Sequence, residues 1–366
     1  MSRRPVPGPA HGVGSGQGGA TLSRRRVGPT LLISRAQVRA ALTMGDAFGV
    51  VEEVLRGLAL GRVEMPAKVT MNLTAYGLQA WNTAMPAYIE SLAAAGVKWV
   101  GGFVDNPTQQ GLPYLIATIL VQDARTGYPL AILEGTHITN LRTGAVAGIA
   151  ARHYARANSR VLGIVGAGTQ ARFAVAALRR VLDLGEIRAY DLEPAAGTRF
   201  AAEMRALYDT PVTACGSAEE AVRGADVVIT ATTSTTPLIR REWLQTGVLA
   251  ISIGSQGQEF YDDAVLGADK LICDSWEQCS HLGELQRLAE AGRVTRDSVF
   301  AELGQTVAGL RPGRESEDES VLVVPIGLGA LDIALARVAY DRVEAAGDSD
   351  SFSFFAIGSG PPGPEG

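Results

Sequence analysis

The chain is poor in several things that would mark other classes of protein. It has three cysteines in 366 residues, Cys215, Cys273 and Cys279. The count is odd and none has metal-type spacing to a histidine. That excludes a disulfide scaffold and gives no sign of a metal site, so the thiols read as the reduced thiols of a cytoplasmic protein. No apolar run approaches the ~20 residues of a membrane span, so no membrane partner is expected. A basic excess is also missing. The formal net charge is −5, although residues 1–30 carry five arginines and no acid. The remainder is therefore more acidic than the total suggests, which argues against nucleic acid as a partner. The Ser-Arg-Arg runs at residues 2–4 and 23–25 lack the apolar stretch that an export signal needs. Residues 1–30 lack large apolar side chains and are expected to be disordered. The same holds for the tail from Gly347, which ends GSGPPGPEG.

What is present is organised around Val161–Ala171, VLGIVGAGTQA. An apolar strand, Val161–Val165, runs at once into Gly166-Ala167-Gly168-Thr169-Gln170-Ala171. Gly166 allows a tight turn, Gly168 lets a pyrophosphate approach the backbone, and Ala171 lets the helix pack close to its strand. The N–H groups that open that helix, from Thr169 and Gln170 on, face the phosphates. A second strand, Ile187–Tyr190, ends at Asp191, where an acid accepts hydrogen bonds from the ribose hydroxyls. Asp191 would repel a 2′-phosphate and no arginine follows it, which favours NAD over NADP. Thr232, in TATTS (230–234), and Ser252 and Gly254, at the end of Val248–Ile253, stand where strand ends touch such a dinucleotide.

From Val161 strands and helices alternate, which predicts a parallel sheet covered on both faces. Further strands are expected at Val212–Cys215, Asp226–Thr230 and Lys270–Cys273, with Ser217 and Glu220 forming a capping box. Before Val161 the pattern is mixed. A strand at Leu31–Ile33 precedes helices capped by Ser34 and Thr43. Ala47, Val50, Val51, Val54, Leu55 and Leu58 recur at helical spacing. Strand candidates follow in AKVTMNL, WNTAMPAYI, GVKWVGGFV, Leu115–Val121 and Leu130–Leu133, and a helix begins at Thr139 or Asn140. After the polar loop RPGRESEDES, a strand (Val321–Ile326) and a long helix (Ala330–Glu344) suggest a return to the first domain. The expected class is α/β: a Rossmann dinucleotide-binding domain (146–317) and a discontinuous α+β domain (31–145 and 318–346). These lie between disordered ends, 1–30 and 347–366.

Three cations stand in apolar or small-residue settings: Lys68 after Pro66, Lys98 in AGVKWV, and Arg142 at the head of an Ala/Gly-rich helix. Each is either a snorkelling surface group or a buried charge awaiting an anion. Together they would suit a substrate carboxylate. His137 is expected to serve packing or the helix start, and His281 lies in a loop or near the cofactor. Trp81 and Asn82 are candidates to line the pocket.

The stretches MPAK (65–68), AMPAYI (84–89), GVKWV (96–100), GLP (111–113), DARTGYPLAIL (123–133), NLRTGA (140–145), VGAGTQA (165–171) and AGLRPGRES (308–316) resemble the ornithine cyclodeaminase/mu-crystallin family. The resemblance spans roughly residues 31–345 in order. It implies a homodimer, with the discontinuous domain serving substrate binding and dimerisation. It also implies that Lys68, Lys98 and Arg142 hold the substrate carboxylate or polarise its α-nitrogen or carbonyl; of the three, Lys98 is the one expected to polarise the reacting centre. The shared chemistry is hydride transfer between nicotinamide and the α-carbon of an amino or imino acid.

Departures from the family pattern choose among its branches. Cyclodeaminases carry a GG-D-x-P-G-K segment whose aspartate handles the ω-amino group. Here the segment is Ile253-Gly254-Ser255-Gln256-Gly257-Gln258-Glu259, and Gln256 takes the aspartate's place. A carboxamide neither titrates nor pairs as a charge with an ammonium. Glu259 and Asp262 are the nearest acids that could substitute. Thr83 stands where the archaeal alanine dehydrogenase type has arginine, and Tyr114 where Gly-Leu-Pro-Thr has threonine. Thr83, Tyr114 and Gln256 are thus the altered pocket positions. The resulting expectation is an NAD-dependent imine reductase or amino acid dehydrogenase, acting on a small amino, imino or 2-oxo acid other than ornithine. The alternatives are an ornithine or lysine cyclodeaminase that recycles its NAD, and a non-catalytic crystallin-like binding protein.

Overall fold

The computed structural model describes residues 28–254 and 256–354. The Ser-Arg-Arg runs and the GSGPPGPEG tail lie outside the described residues. The first sheet draws on β1 (Thr30–Ile33), β2 (Val63–Glu64), β3 (Val69–Asn72), β4 (Ala80–Ile89), β5 (Ala94–Phe103), β6 (Leu115–Asp123) and β7 (Pro129–Glu134). The second is built from β8 (Val161–Val165), β9 (Glu186–Tyr190), β10 (Val212–Ala214), β11 (Val227–Thr230), β12 (Leu249–Ser252), β13 (Lys270–Cys273), β14 (Ala301–Glu302) and β15 (Val321–Val324). A last strand, β16 (Asp350–Phe352), pairs antiparallel with β1 and joins the first sheet. So the expected disorder from Gly347 is corrected at 350–352, and that of residues 1–30 is corrected at Thr30, the first residue of β1; residues 1–27 lie outside the described residues.

The first sheet runs β16-β1-β7-β6-β5-β4-β2, with β3 also on β4. Its pairs are antiparallel except β1 with β7. Side chains alternate across it with period two. Lys98 on β5 therefore points inward and its neighbour Trp99 outward. The second sheet is parallel throughout, in the order β10-β9-β8-β11-β12-β15-β13-β14. Strands β11, β12, β13 and β15 are buried at every residue. Such continuous apolar runs are what a sheet covered on both faces requires.

The C-terminal return is divided. Strand β15 does not go back to the first sheet; it is inserted between β12 and β13. Its sequence VLVV suits the interior of a parallel sheet and has no polar alternation for a half-exposed one. Only the helix Gly329–Ala346 packs against β4, β5 and β6 of the first sheet.

The helix Thr136–Tyr154 begins three residues earlier than the sequence suggests. No side chain at Gly135 caps it. The Glu134 carboxylate accepts from Thr136 N and His137 N instead, in the electrostatic role of an N-terminal acid. Most of this helix is buried, on all sides. Small residues permit that: a Cβ on Gly144 would lie 2.6 Å from Phe173 O, and one on Gly148 2.4 Å from the Phe48 ring. The capping box expected at Ser217 is only half formed. Ser217 accepts from Glu220 N, but the Glu220 carboxylate turns to Gly216 N. Among the described residues no helix is long and apolar enough to cross a membrane.

Candidate active site

Three elements bring the three cations to one cavity of about 350 Å³. Lys98 comes from β5, Arg142 from the buried helix, and Lys68 from the segment leading into β3. They converge near Asp332, a fully buried acid in the first turn of the helix Gly329–Ala346. Lys98 Nζ donates to Asp332 Oδ2 at 2.7 Å, and Arg142 Nε lies 3.4 Å from the same carboxylate. Thr139 Oγ1 is 3.1 Å from Asp332 Oδ1. Burial would raise the Asp332 carboxyl, but Arg142 and Lys98 outweigh it and hold it below the usual range. Burial draws Lys98 down to about 7; Asp332 opposes that shift and Arg142 adds to it. Lys98 is thus a buried amine that exchanges a proton near neutrality.

Lys68 Nζ donates to Ile326 O and to Gly327 O, both at 3.0 Å. An ammonium has three N–H donors and an amine only two. Protonated Lys68 therefore keeps one donor for a ligand. Burial lowers it to about 8. Thr83 and Thr70 share a hydrogen bond of 2.8 Å, and Trp81 Nε1 donates to Tyr114 Oη at 3.2 Å. Thr83, Trp81, Tyr114 and Gln256 all line the cavity. Among the described residues no Asp or Glu lines it. The two candidate substitutes for the missing aspartate are engaged elsewhere. Glu259 accepts from Thr230, Thr232, Ser252 and Gly254. Asp262 pairs with Arg287 and Arg293.

A second cavity, about 560 Å³, shares Trp81, Tyr114, Thr139, Arg142 and Gln256 with the first. It reaches Gly168, Thr169, Gln170, Thr232 and Gly254. Its features fit a dinucleotide. Gly166 has φ +94, and a Cβ there would lie 2.5 Å from Ala231 O, so the turn needs glycine. A Cβ on Gly168 would meet nothing within 4 Å, which leaves the backbone open to a phosphate. Gln170 Oε1 is buried without a hydrogen-bond partner among the described residues. Asp191 braces the loop, accepting from Ala167 N at 2.8 Å and Glu193 N at 2.9 Å. Ala171 is buried in the helix packing, and neither it nor Gly166 or Asp191 lines the cavity itself.

Ser252 is not brought to this cavity. It is buried, with Oγ 2.9 Å from both Glu259 Oε2 and Glu284 Oε2. One hydroxyl proton cannot serve two carboxylates. Burial pushes Glu284 up to about 8, which eases the close approach of the two carboxyls, and its oxygens also accept from Glu259 N and Phe260 N. The network ties together the loops after β11 and β12, both of which face the cofactor cavity. His137 stacks edge-on against Phe173, consistent with packing. His281 Nδ1 contacts Ser280 and Glu277 O and lines neither cavity. Among the described residues no cluster of His, Cys, Asp or Glu could hold a metal. Asp332, Asp274 and Glu284 carried no signal in the sequence, since each works through partners far along the chain.

A nucleotide-type parallel sheet beside an antiparallel sheet that presents buried cations defines a two-sheet α/β protein of the dehydrogenase kind. The chain belongs to the ornithine cyclodeaminase/mu-crystallin family, whose model matches residues 29–347. It is 36% identical to an alanine dehydrogenase of Archaeoglobus fulgidus over 330 residues, covering 90% of this chain and 99% of that protein. An archaeal alanine dehydrogenase solved as a dimer with bound NAD superimposes with a TM-score of 0.83 at 36% identity, over 89% of this chain and 99% of that one. The Δ1-pyrroline-2-carboxylate reductase of Thermococcus litoralis, solved with NADH and L-proline, gives 0.84 at 32% identity, over 88% of this chain and 100% of that one.

Proposed function

We propose that the protein is an NAD-dependent oxidoreductase that reduces an α-imino acid, or a 2-oxo acid with an amine, to an amino acid. The observation that carries this is the convergence of Lys68, Lys98 and Arg142 on an acid-free cavity that adjoins the glycine-loop cavity. Relatives that bind NAD and act on alanine or on a cyclic imino acid support it. Arg142 and the free donor of protonated Lys68 bind the substrate carboxylate. Lys98 faces the α-nitrogen or carbonyl oxygen and, at about 7, can hold or release the proton there. The cofactor, when bound, supplies a hydride for the α-carbon. Gly168, Thr169, Gln170, Thr232 and Gly254 would hold it, over the turn that Gly166 and Asp191 shape. Asp191 favours NAD over NADP, since a carboxylate repels a 2′-phosphate.

The substrate side chain is neutral in this reading. Besides the cations, the lining includes Trp81, Tyr114, Asn72, Gln79, Gln256 and Gln286, and among the described residues no acid. An ω-ammonium would find no carboxylate there, which disfavours ornithine and lysine. The first sheet with the helix Gly329–Ala346 forms the substrate and dimerisation domain, and the parallel sheet the NAD domain. The outward face of β3 to β6 meets a second copy of the chain. One assay tests the reaction: NADH absorbance and ammonia followed together over 2-oxo acids with ammonia or methylamine, cyclic imino acids, ornithine and lysine. Stoichiometric NADH oxidation by an imine is expected. Ammonia from a diamino acid at constant NADH would establish a cyclodeaminase instead. Tight NADH binding with no turnover would leave only a binding protein.

A further inference from the structure

Lys68 is held from beneath by a single turn of chain. Its ammonium donates to the carbonyls of Ile326 and Gly327. The amides of these two residues face the opposite way. Ile326 N donates to Asp274 Oδ1 at 3.1 Å, and Gly327 N donates to Asp274 Oδ2 at 2.8 Å. Asp274 directly follows β13 and is buried. Gly327 has φ +87, and a Cβ there would lie 2.7 Å from the Arg142 guanidinium. One turn therefore meets Lys68 through its carbonyls, Arg142 through a bare α-carbon, and Asp274 through its amides. A carboxylate on the amide side polarises the turn, which strengthens its carbonyls as acceptors.

We propose that Asp274 is a positioning residue: through the Ile326–Gly327 turn it aims the Lys68 ammonium at the substrate carboxylate. The proposal rests on Lys68 being the carboxylate anchor. It ties substrate binding to the nucleotide-binding sheet, because Asp274 also borders the cofactor cavity. Electrostatics agree with the geometry. Burial is the main cause that lowers Lys68, and Asp274 is the largest influence against it. Asp332 and Cys279 act with Asp274, and Arg142 acts against it. Cys279 Sγ lies 3.4 Å from Asp274 Oδ1, so the thiol belongs to the same cluster.

The test compares wild type, D274N and D274E, each alone and with K68M. The pH dependence of Lys68 acetylation by acetic anhydride, read by mass spectrometry, reports its proton affinity without any turnover. In D274N the Lys68 midpoint should fall by roughly half a unit or more, and in D274E it should return toward wild type. KM for the imino acid should rise about tenfold in D274N, with little change in kcat. On the K68M background, D274N should add almost nothing. An unmoved Lys68 midpoint overturns the proposal. So does a full D274N effect on KM persisting in K68M. Should D274N not fold, D274E decides alone: it keeps the charge but displaces the acceptors, so KM must rise while the midpoint stays. If no imino acid turns over, the acetylation arm still decides whether Asp274 governs Lys68.

Discussion

Lys98 and Asp332 make a pair that neither could sustain alone. Both are almost completely buried. Taking one away leaves a charge in a medium that cannot solvate it, a loss typically of about 3–5 kcal/mol. Asp332→Ala should therefore lower unfolding stability by about that amount, measured by chemical denaturation. A loss under about 1 kcal/mol would mean that Lys98 sheds its proton, or that water reaches it, once Asp332 is gone. The same burial sets a pH dependence. Lys98 lies near 7 and Lys68 near 8 in the folded chain, both lowered by burial. Lowered amines are cationic only below those values. The kcat/KM for an anionic substrate should then fall as pH rises from about 7 to above 8, because it reports the free enzyme. A profile flat to pH 10 would show that neither lysine must be charged. At this scale the sequence was half legible. Lys68, Lys98 and Arg142 stood out because a charge among small apolar residues is a local anomaly. Asp332 did not, since it sits among ordinary helix formers 234 positions from Lys98.

The elements most readily seen in the sequence are those whose signals are local. The glycine turn after β8 and the caps at Ser34 and Thr43 fall where side-chain chemistry places them. The helix Thr136–Tyr154 starts early because its cap comes from the end of β7, not from the usual position. Strand β15 lies in the parallel sheet and not with the first domain, and its isolated apolar run carries no address that distinguishes the two. The short turn Gly283–Leu285 has no local sequence signal, although its Glu284 carboxyl accepts from the backbone of Glu259 and Phe260. Burial is the main reason its proton is held to about pH 8, whereas the unfolded chain releases it near 4.5. A folded-state value that is raised makes native stability fall as pH climbs between those limits. Glu284→Gln cannot titrate; its –NH2 must face a backbone N–H of Glu259 or Phe260, a cost that does not vary with pH. Its Tm should gain on wild type as pH rises from 5 to 8. A constant gap across that range would show that Glu284 is ionised throughout.

At the scale of the molecule, one face of the first sheet lacks a cover among the described residues. Period two sends Lys98 to the inner face, where the helix Gly329–Ala346 covers it, and Trp99 to the outer one. Trp99 is 47% exposed, and Val69, Met71 and Ile116 beside it are 67%, 44% and 39% exposed. Pairing aligns Val69, Ala84 and Trp99 across three strands, and Met71, Asn82 and Ile116 along the next row. A contiguous apolar face on a sheet is a contact surface or an aggregation hazard. A second copy of the same chain is the occupant the family precedent supports, since an archaeal relative was solved as a dimer. An isologous contact would set each Trp99 in the same two-fold patch, so one substitution acts twice. Trp99→Asp should therefore convert a dimer to monomer by light scattering at micromolar concentration. The cations lie on the opposite face of the same strand, so NADH binding should survive the change. If the mass in solution is already that of a monomer, or if the variant stays dimeric, the outer face is not the dimer contact. If NADH affinity falls with dissociation, the strand that carries Lys98 and Trp99 transmits the contact into the site, and assembly and catalysis share one element.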